Sequence, residues 1–265
     1  MSVRVCVLGS GSKGNCTLVA TEKTRLLIDA GLSCRETYAR LAKVGESAEG
    51  LDAIVISHEH TDHINGLRVL AQNGNLPVYI SRATCEAVRR DDEIRKKLTK
   101  FEYIAASEKF TIRDIEVTPF PIPHDAVDPV AFTLSVEGIR ISVVTDLGFI
   151  PEIVKQRVRG SHLLVFESNH DLEMLKLGPY PWDVKQRVMS RTGHLSNHAT
   201  ATFLAEEFDG SAAVLVLAHL SETNNHPEIA RLSAEQALAQ RARTLLESTQ
   251  LHLASQTQPT EVFRF

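Results

Sequence analysis

The sequence predicts an α/β fold, on two patterns that run along its 265 residues. Short runs rich in β-branched residues, typical of buried strands, alternate with longer stretches whose apolar residues recur at helical spacing. Several of the short runs end directly in a histidine or an aspartate. Side chains that lie just beyond strand ends meet at one edge of an α/β sheet, so the same pattern predicts a functional site there.

The first predicted elements are three strands, over residues 1–8, 16–20 and 25–29. Residues 9–14 between the first two strands contain the string Gly-x-Gly-x-x-Gly, which is found in dinucleotide-binding proteins. That fingerprint requires a helix directly after the glycines, whereas here a hairpin is predicted. The hairpin argues against a dinucleotide site, although a glycine and serine loop can still line an anion site with backbone N–H groups.

The most informative stretch is His58-Glu59-His60-Thr61-Asp62-His63, between a predicted strand at 51–57 and a predicted helix at 64–72. Residues two apart in an extended loop point the same way, so His58 and His60 can bind one metal ion. Asp62 and His63 then face a second position at the start of the helix. Imidazole and carboxylate ligands together suit zinc, manganese or iron rather than calcium.

The remaining elements alternate in the same way. Further strands are predicted at 76–80, within 104–118, and at 131–136, 140–144, 162–166 and 213–218. Further helices are predicted at 33–44, from 81 to 97, around 179–182, from 197 to 208 and at 227–246. Trp182 is expected to pack against the protein. The chain shows no internal repeat and no linker, so residues 1–265 are expected to form a single domain.

Composition restricts the function classes. Hydrophobic residues make up 43% of the chain, but no run of 18 apolar residues occurs, so no membrane span is predicted. The amino terminus lacks the features of a signal peptide, and a cytoplasmic location is expected. The net charge of −4 argues against a strongly basic coat for nucleic acid, while a local basic groove stays open. The four cysteines are irregularly spaced and are expected to be buried, reduced thiols.

Ligand-type residues at strand ends extend the pattern beyond the histidine loop. These residues are Asp29, His58, Asp146 and His219, with His124 on a long loop. The string His58-x-His60-x-Asp62-His63 with the later His124, Asp146 and His219 resembles the metallo-β-lactamase fold of hydrolases, along essentially the whole chain. The resemblance implies a four-layer αββα sandwich with a two-metal site at the edge of its two sheets. No insertion for binding an antibiotic is present, so lactamase activity is not expected.

Four further stretches are similar to the YycJ/WalJ branch of exonucleases, which is distantly like RNase J and RNase Z. They are residues 7–15, 167–171, 193–197 and 219–225. The resemblance implies two divalent ions, zinc or manganese. It assigns His58, His60 and His124 to one ion, and Asp62, His63 and His219 to the other. It implies that Asp146 bridges the ions and that Asp29 supports the histidine loop without binding metal.

The implied activity is hydrolysis of phosphodiester bonds by a 5′-to-3′ DNA exonuclease acting on single strands or exposed 5′ ends. Two ions lower the pKa of a bound water and neutralise charge on the phosphoryl oxygens. Asp62 is the candidate to orient that water and accept its proton, and His194 is the candidate to stabilise the leaving oxygen. The candidate substrate-binding residues are Ser10, Ser12, Asn15, Ser168, Asn169, His194 and Ser196.

Several alternatives stay open. One alternative is that Ser196 is simply the N-cap of the helix that follows it and does not bind substrate. The same ligands occur in small-molecule esterases and phosphodiesterases of this fold, including thioesterases of the glyoxalase II type. A nucleic-acid-binding metal protein without turnover is a further alternative, although seven candidate ligands for two ions leave positions for water and substrate. The sequence leaves the oligomeric state undetermined.

Overall fold

The computed structural model describes residues 2–242 and 249–265, and its strands form two sheets. The strands that belong to the first sheet are β1 Arg4–Gly9, β2 Cys16–Ala20, β3 Arg25–Ile28, β4 Ala53–Val55, β5 Val78–Ser81, β6 Phe101–Ile104 and β14 Phe263–Arg264. Those of the second are β7 Phe110–Ile112, β8 Ile115–Pro121, β9 Val130–Val136, β10 Ile139–Val144, β11 Leu163–Glu167, β12 Val214–Ala218 and β13 Gln250–Leu253. The spatial orders are β14-β1-β2-β3-β4-β5-β6 and β13-β12-β11-β10-β9-β8-β7.

Helices connect the strands and cover the outer faces of the sheets. They are α1 Cys34–Lys43, α2 Thr61–Ile64, α3 Leu67–Gly74, α4 Arg82–Val88, α5 Asp92–Lys97, α6 Glu152–Val158, α7 Leu172–Leu177, α8 Trp182–Val188, α9 Asn197–Glu206 and α10 Pro227–Ala242, with a 3-10 turn at Ala48–Gly50. Among these described helices, none combines the length and apolar character that crossing a membrane requires.

Three separate apolar cores give the molecule four layers. Strand residues alternate between two faces, and both faces of β1 are buried: Val5 and Val7 point into a core shared by the two sheets, whereas Cys6 and Leu8 point outward. The outward core lies between the first sheet and α1, α3 and α4. A third core lies between the second sheet and α6, α9 and α10. The αββα sandwich implied by the sequence resemblance is therefore confirmed.

Strand direction brings the predicted site residues to one edge. Strands β3, β4 and β5 run parallel to one another, as do β10, β11 and β12. Because the carboxyl ends of parallel neighbours share an edge, Asp29, His58, Asp146 and His219 all emerge on that side of their sheets. His124 joins them because β8 is antiparallel to β9, which is antiparallel to β10.

Some predicted elements differ in the structure. The helix predicted at 81–97 is two helices, because Asp91 accepts hydrogen bonds from the N–H groups of Glu93 and Ile94 and so begins α5. The helix predicted at 64–72 begins earlier, as the single turn α2, and resumes as α3 after Gly66.

The carboxyl-terminal part of the chain also differs from the prediction. Strands β13 and β14, which extend the two sheets, were not predicted. The predicted end of the last helix at residue 246 lies outside the described residues. Trp182 does not pack against the protein, since it is 63% exposed.

Gly31, just after β3, lets three segments of the site pack closely. Its N–H donates to the carbonyl of Asn15 at 2.9 Å, and the N–H of Asn15 donates to the carbonyl of Asp62 at 2.7 Å. A Cβ at Gly31 would lie 1.6 Å from the Asp62 carbonyl oxygen. The position of the loop that carries Asp62 therefore depends on the absence of a side chain at Gly31.

We expect Gly31→Ala to lower the free energy of unfolding by about 2 kcal/mol or more, because the new methyl group meets backbone that cannot move freely. Gly50→Ala is the matched control, since a Cβ there approaches only the side chain of Arg25, at 2.8 Å. Urea unfolding of both variants checks this. Equal shifts of the two midpoints would contradict the role given to Gly31.

Candidate metal centre and active site

Three histidines form the first group of candidate ligands. His58 and His60 come from the loop after β4, and His124 comes from the loop after β8. One ring nitrogen from each lies within 4.8 Å of the others. His60 Nδ1 and His124 Nε2 are 3.2 Å apart. The structure thus brings His124 to the two histidines that the loop spacing predicted to act together.

A second group combines two carboxylates with two histidines. Asp62 and His63 lie on α2, Asp146 follows β10, and His219 follows β12. Asp62 Oδ2 is 3.3 Å from His219 Nε2 and 3.5 Å from His63 Nε2. One ligand atom from each of the four residues lies within 4.8 Å of the others.

Asp146 lies where the two groups meet. Its Oδ2 is 3.2 Å from His63 Nε2, and its Oδ1 is 3.3 Å from His219 Nδ1 and 3.9 Å from His124 Nε2. The carboxylate therefore faces ligands of both groups and is only 2% exposed.

Three of the residues that follow strands have left-handed backbone. The φ angles of Asp29, Asp146 and His219 are 61°, 64° and 56°. Only a few per cent of residues other than glycine adopt this region, and aspartate and histidine are enriched among them. All three residues lie within two positions of a strand end, and Asp146 and His219 belong to the second ligand group.

Asp29 and Ser57 fix the histidine loop from behind. Asp29 Oδ1 accepts hydrogen bonds from the backbone N–H and hydroxyl of Ser57, at 2.8 and 2.9 Å. Its Oδ2 accepts from Nδ1–H of His63 at 2.8 Å, which leaves Nε2 of that ring facing Asp146. The geometry is that of a carboxylate that orients a metal-binding histidine. Ser57 was not singled out in the sequence, because a serine at a strand end carries no specific signal.

Glu167, at the end of β11, was not predicted as a site residue. Its Oε1 accepts from Nδ1–H of His194 at 2.8 Å and of His219 at 2.9 Å. Its Oε2 accepts from the backbone N–H groups of Leu147 and Leu195. Burial alone would raise the pKa of Glu167, but His194 and His219 outweigh it and lower the pKa to about 2. The carboxylate is ionised and fixes both rings. Its position at a strand end was the available signal.

The protonation states of the buried groups follow from their neighbours. Burial lowers the pKa of His58, and His63 lowers it further, so the His58 ring is the neutral imidazole that binds metal ions. Burial also opposes protonation of His63, but Asp146 and Asp29 outweigh it and raise its pKa. Burial raises the pKa of Asp146, yet His219 and His63 dominate and hold it well below its ordinary value.

Two buried atoms indicate that the groups suit metal ions. Among the described residues, Nε2 of His58 has no hydrogen-bond partner, and Oδ2 of Asp146 has only the ion-pair contact with Nε2 of His63 at 3.2 Å. A buried polar atom without a partner costs free energy, and a metal ion provides the missing contact. The imidazole and carboxylate donors fit a binuclear metal centre.

The predicted substrate residues divide into two sets. Ser12, Asn169 and His194 line one cavity beside the metal-ligand groups. Asn15 is buried and donates to Asp62 Oδ2 at 3.1 Å. The side chain of Asn15 therefore contacts the second ligand group rather than the cavity.

Three serines predicted to bind substrate are engaged elsewhere. Ser10 accepts the backbone N–H of His219 at 2.8 Å. Ser168 donates to Asn197 Oδ1 at 2.7 Å. Ser196 accepts the N–H of Ala199 at 3.1 Å, so it is the N-cap of α9. Each hydroxyl is buried in a structural hydrogen bond, which is the alternative that the sequence left open for Ser196.

The fold and the paired ligand groups define the class of protein. Residues 24–220 match the family model described as a beta-lactamase superfamily domain. The metallo-beta-lactamase fold protein YhfI from Bacillus subtilis has a TM-score of 0.73 at 20% identity and covers 100% of both chains. Human tRNase Z, short form, has a TM-score of 0.64 at 18% identity, covering 97% of this chain and 98% of that one. These two structural similarities show a shared fold.

Sequence similarity narrows the class. Exodeoxyribonuclease YycJ of Bacillus anthracis is 36% identical over 262 residues, which cover 99% of each chain. Exodeoxyribonuclease WalJ of Streptococcus pneumoniae is 35% identical over 235 residues, covering 88% of this chain and 87% of that one. The chain therefore belongs to the YycJ/WalJ family within the beta-lactamase superfamily.

We expect the wild-type protein to retain about two divalent ions per chain after dialysis against Mn²⁺ or Zn²⁺, and His58→Ala to retain fewer because it loses a buried ligand. His198→Ala is the control, since His198 is exposed on α9 and belongs to neither ligand group. Mass spectrometry of the bound metal measures the number of ions per chain. Equal metal contents for wild type and His58→Ala would contradict the assignment of His58 to the first metal site.

Proposed function

We propose that the protein is a two-metal-dependent hydrolase of phosphodiester bonds, and that it degrades single-stranded DNA from the 5′ end. The observation that carries the proposal is the meeting of two ligand groups at Asp146, in a chain similar over nearly its full length to proteins named exodeoxyribonucleases. A single closed four-ligand site would favour a structural metal instead.

The proposed ligands follow the two groups. His58, His60 and His124 would hold one ion, Asp62, His63 and His219 the other, with Asp146 between them. Two such ions, when bound, supply an activated water near neutral pH and neutralise charge on phosphoryl oxygens. Asp62 is 20% exposed at its side chain, more than the other carboxylates of the centre, and we assign it the orientation of the attacking water.

His194 is proposed as the group that protonates the leaving oxygen. Its Nδ1–H is held by Glu167, so Nε2 is the nitrogen that can carry the transferred proton. The ring is 16% exposed and lines the adjacent cavity, whereas the candidate metal ligands His58 and His63 are fully buried. Glu167 positions the ring through this contact.

For the reaction itself, we expect the metal-depleted protein to leave 3′-labelled single-stranded DNA intact and to shorten it from the 5′ end once Mn²⁺ or Zn²⁺ is restored. Asp146→Asn should lower kcat/KM on the order of a hundredfold or more, because it weakens the binding of both ions. Asp183→Asn, exposed on α8, is the control.

Five companion substrates decide between functions. Circular single-stranded DNA should resist degradation if the activity requires an end, and a phosphorothioate at the 5′ end should block it while one at the 3′ end should not. RNA of the same sequence tests the sugar preference. Turnover of a generic thioester without cleavage of nucleic acid would support the small-molecule esterase instead.

The role of His194 predicts a dependence on the leaving group. His194→Ala should lower kcat on DNA on the order of a hundredfold or more, because an alkoxide leaves poorly without a proton. The same variant should retain most of its activity on a 4-nitrophenyl phosphodiester, whose phenolate leaves unassisted. Glu167→Gln should show the same contrast more weakly. An equal loss on both substrates would contradict proton donation by His194.

A further inference from the structure

A cavity of about 230 Å³ opens beside the metal-ligand groups. Its lining comes from several separate segments: the loop after β1, the loop after β11, the α7–α8 connection with α8 itself, and the loop after β12. His194 lines it, and the neighbouring Asn169 donates to the carbonyl of His219 at 2.7 Å. The cavity is therefore continuous with the group assigned to the leaving oxygen.

The segments that line the cavity differ in chemistry. The α7–α8 segment contributes Tyr180 and the apolar residues Val184 and Val188. The other segments contribute hydroxyl and amide groups, including the hydroxyls of Ser12 and Ser221. A flat group with an apolar face and polar edges suits this combination, and a nucleobase has that form. Any of the bases can stack on an aromatic ring, so such contacts need no particular sequence.

One polar group of the cavity is left without a partner. Asn224 lines the cavity and is 1% exposed, and its Oδ1 accepts no hydrogen bond from the described residues. Other polar groups on this side are engaged, as Ser221 accepts the N–H of Asn224 at 3.1 Å. Asn224 therefore adds a buried polar side chain with an unpaired acceptor to the lining of the cavity.

Arg187 places a positive charge between the cavity and the metal centre. It lines the cavity, and its Nε is 2.8 Å from Asp125 Oδ2. Asp125 Oδ1 is in turn 3.4 Å from Nε2 of His124, a candidate ligand. A strand whose end occupied the cavity would pass its phosphates along this guanidinium.

We propose that the cavity binds the nucleobase of the 5′-terminal nucleotide, the one that leaves, with Tyr180 as the stacking surface. The inference rests on the proposed nuclease function. In the reaction, the oxygen of water bonds to phosphorus, the bond from phosphorus to the 3′ oxygen of the terminal nucleotide breaks, and His194 gives that oxygen its proton. The terminal nucleotide leaves with a 3′ hydroxyl, and the strand keeps a new 5′ phosphate. The leaving oxygen lies beside His194 only if the terminal nucleotide lies on the cavity side.

The test compares two 5′-phosphorylated, 3′-labelled single strands that differ only at the terminal nucleotide, which carries thymine or an abasic tetrahydrofuran. First-cut kcat/KM of the wild-type protein should fall on the order of tenfold for the abasic end. Tyr180→Ala should cause a similar loss on the thymine end and none on the abasic end. Tyr180→Phe should behave as wild type, because the ring is retained.

The controls separate this inference from the function beneath it. Gln186→Ala, exposed on the same helix and outside the cavity lining, should not change the preference for a base. Equal wild-type rates on the two ends would overturn the cavity assignment while the nuclease function stands, as would equal losses on both ends for Tyr180→Ala. Failure of the metal-loaded wild type to cleave the thymine strand would overturn the proposed function and this inference with it.

Discussion

The site is organised around carboxylates that are buried and ionised. Asp146 is 2% exposed and Glu167 is fully buried. An isolated buried carboxylate costs several kcal/mol, so each must be surrounded by donors or positive charge. Imidazole rings provide these contacts for both residues, and backbone N–H groups add to them at Glu167. The histidines are consequently fixed in position and tautomer by the same contacts that stabilise the carboxylates.

Main-chain geometry places these groups together. The carboxyl ends of parallel strands share an edge in each sheet, and left-handed residues lie within two positions of the ends of β3, β10 and β12 there. Gly31 then allows the α2 segment to pack against the end of β3. Strand pairing, backbone conformation and close packing therefore act together to form the ligand groups.

The two sheets repeat one arrangement, although the sequence shows no internal repeat. From β14 to β6 the first sheet has three antiparallel pairings followed by three parallel ones. From β7 to β13 the second sheet has the same succession. The first sheet obtains its outermost strand, β14, from the carboxyl terminus. The site lies between equivalent edges of the two halves, and each half contributes ligands to it.

Local patterns in the sequence determined the α/β alternation, most of the strands and the spacing that pairs His58 with His60. These features depend on periodicity and near neighbours, which the order of residues fixes directly. Strands β13 and β14 were missed because they are short and peripheral, and their pairing comes from a distant part of the chain. The resemblance to a family supplied the assignment of distant residues such as His219.

Only the tertiary structure decided which polar groups line the cavity beside the ligand groups and which hold the framework. Ser10, Ser168 and Ser196 look equivalent to Ser12 in the sequence, yet burial commits their hydroxyls to structural hydrogen bonds. Glu167 becomes a site residue because the packing of β11 beside β12 brings it to both His194 and His219. Such roles depend on distances between remote segments and on exclusion of water, and neither is encoded in residue spacing.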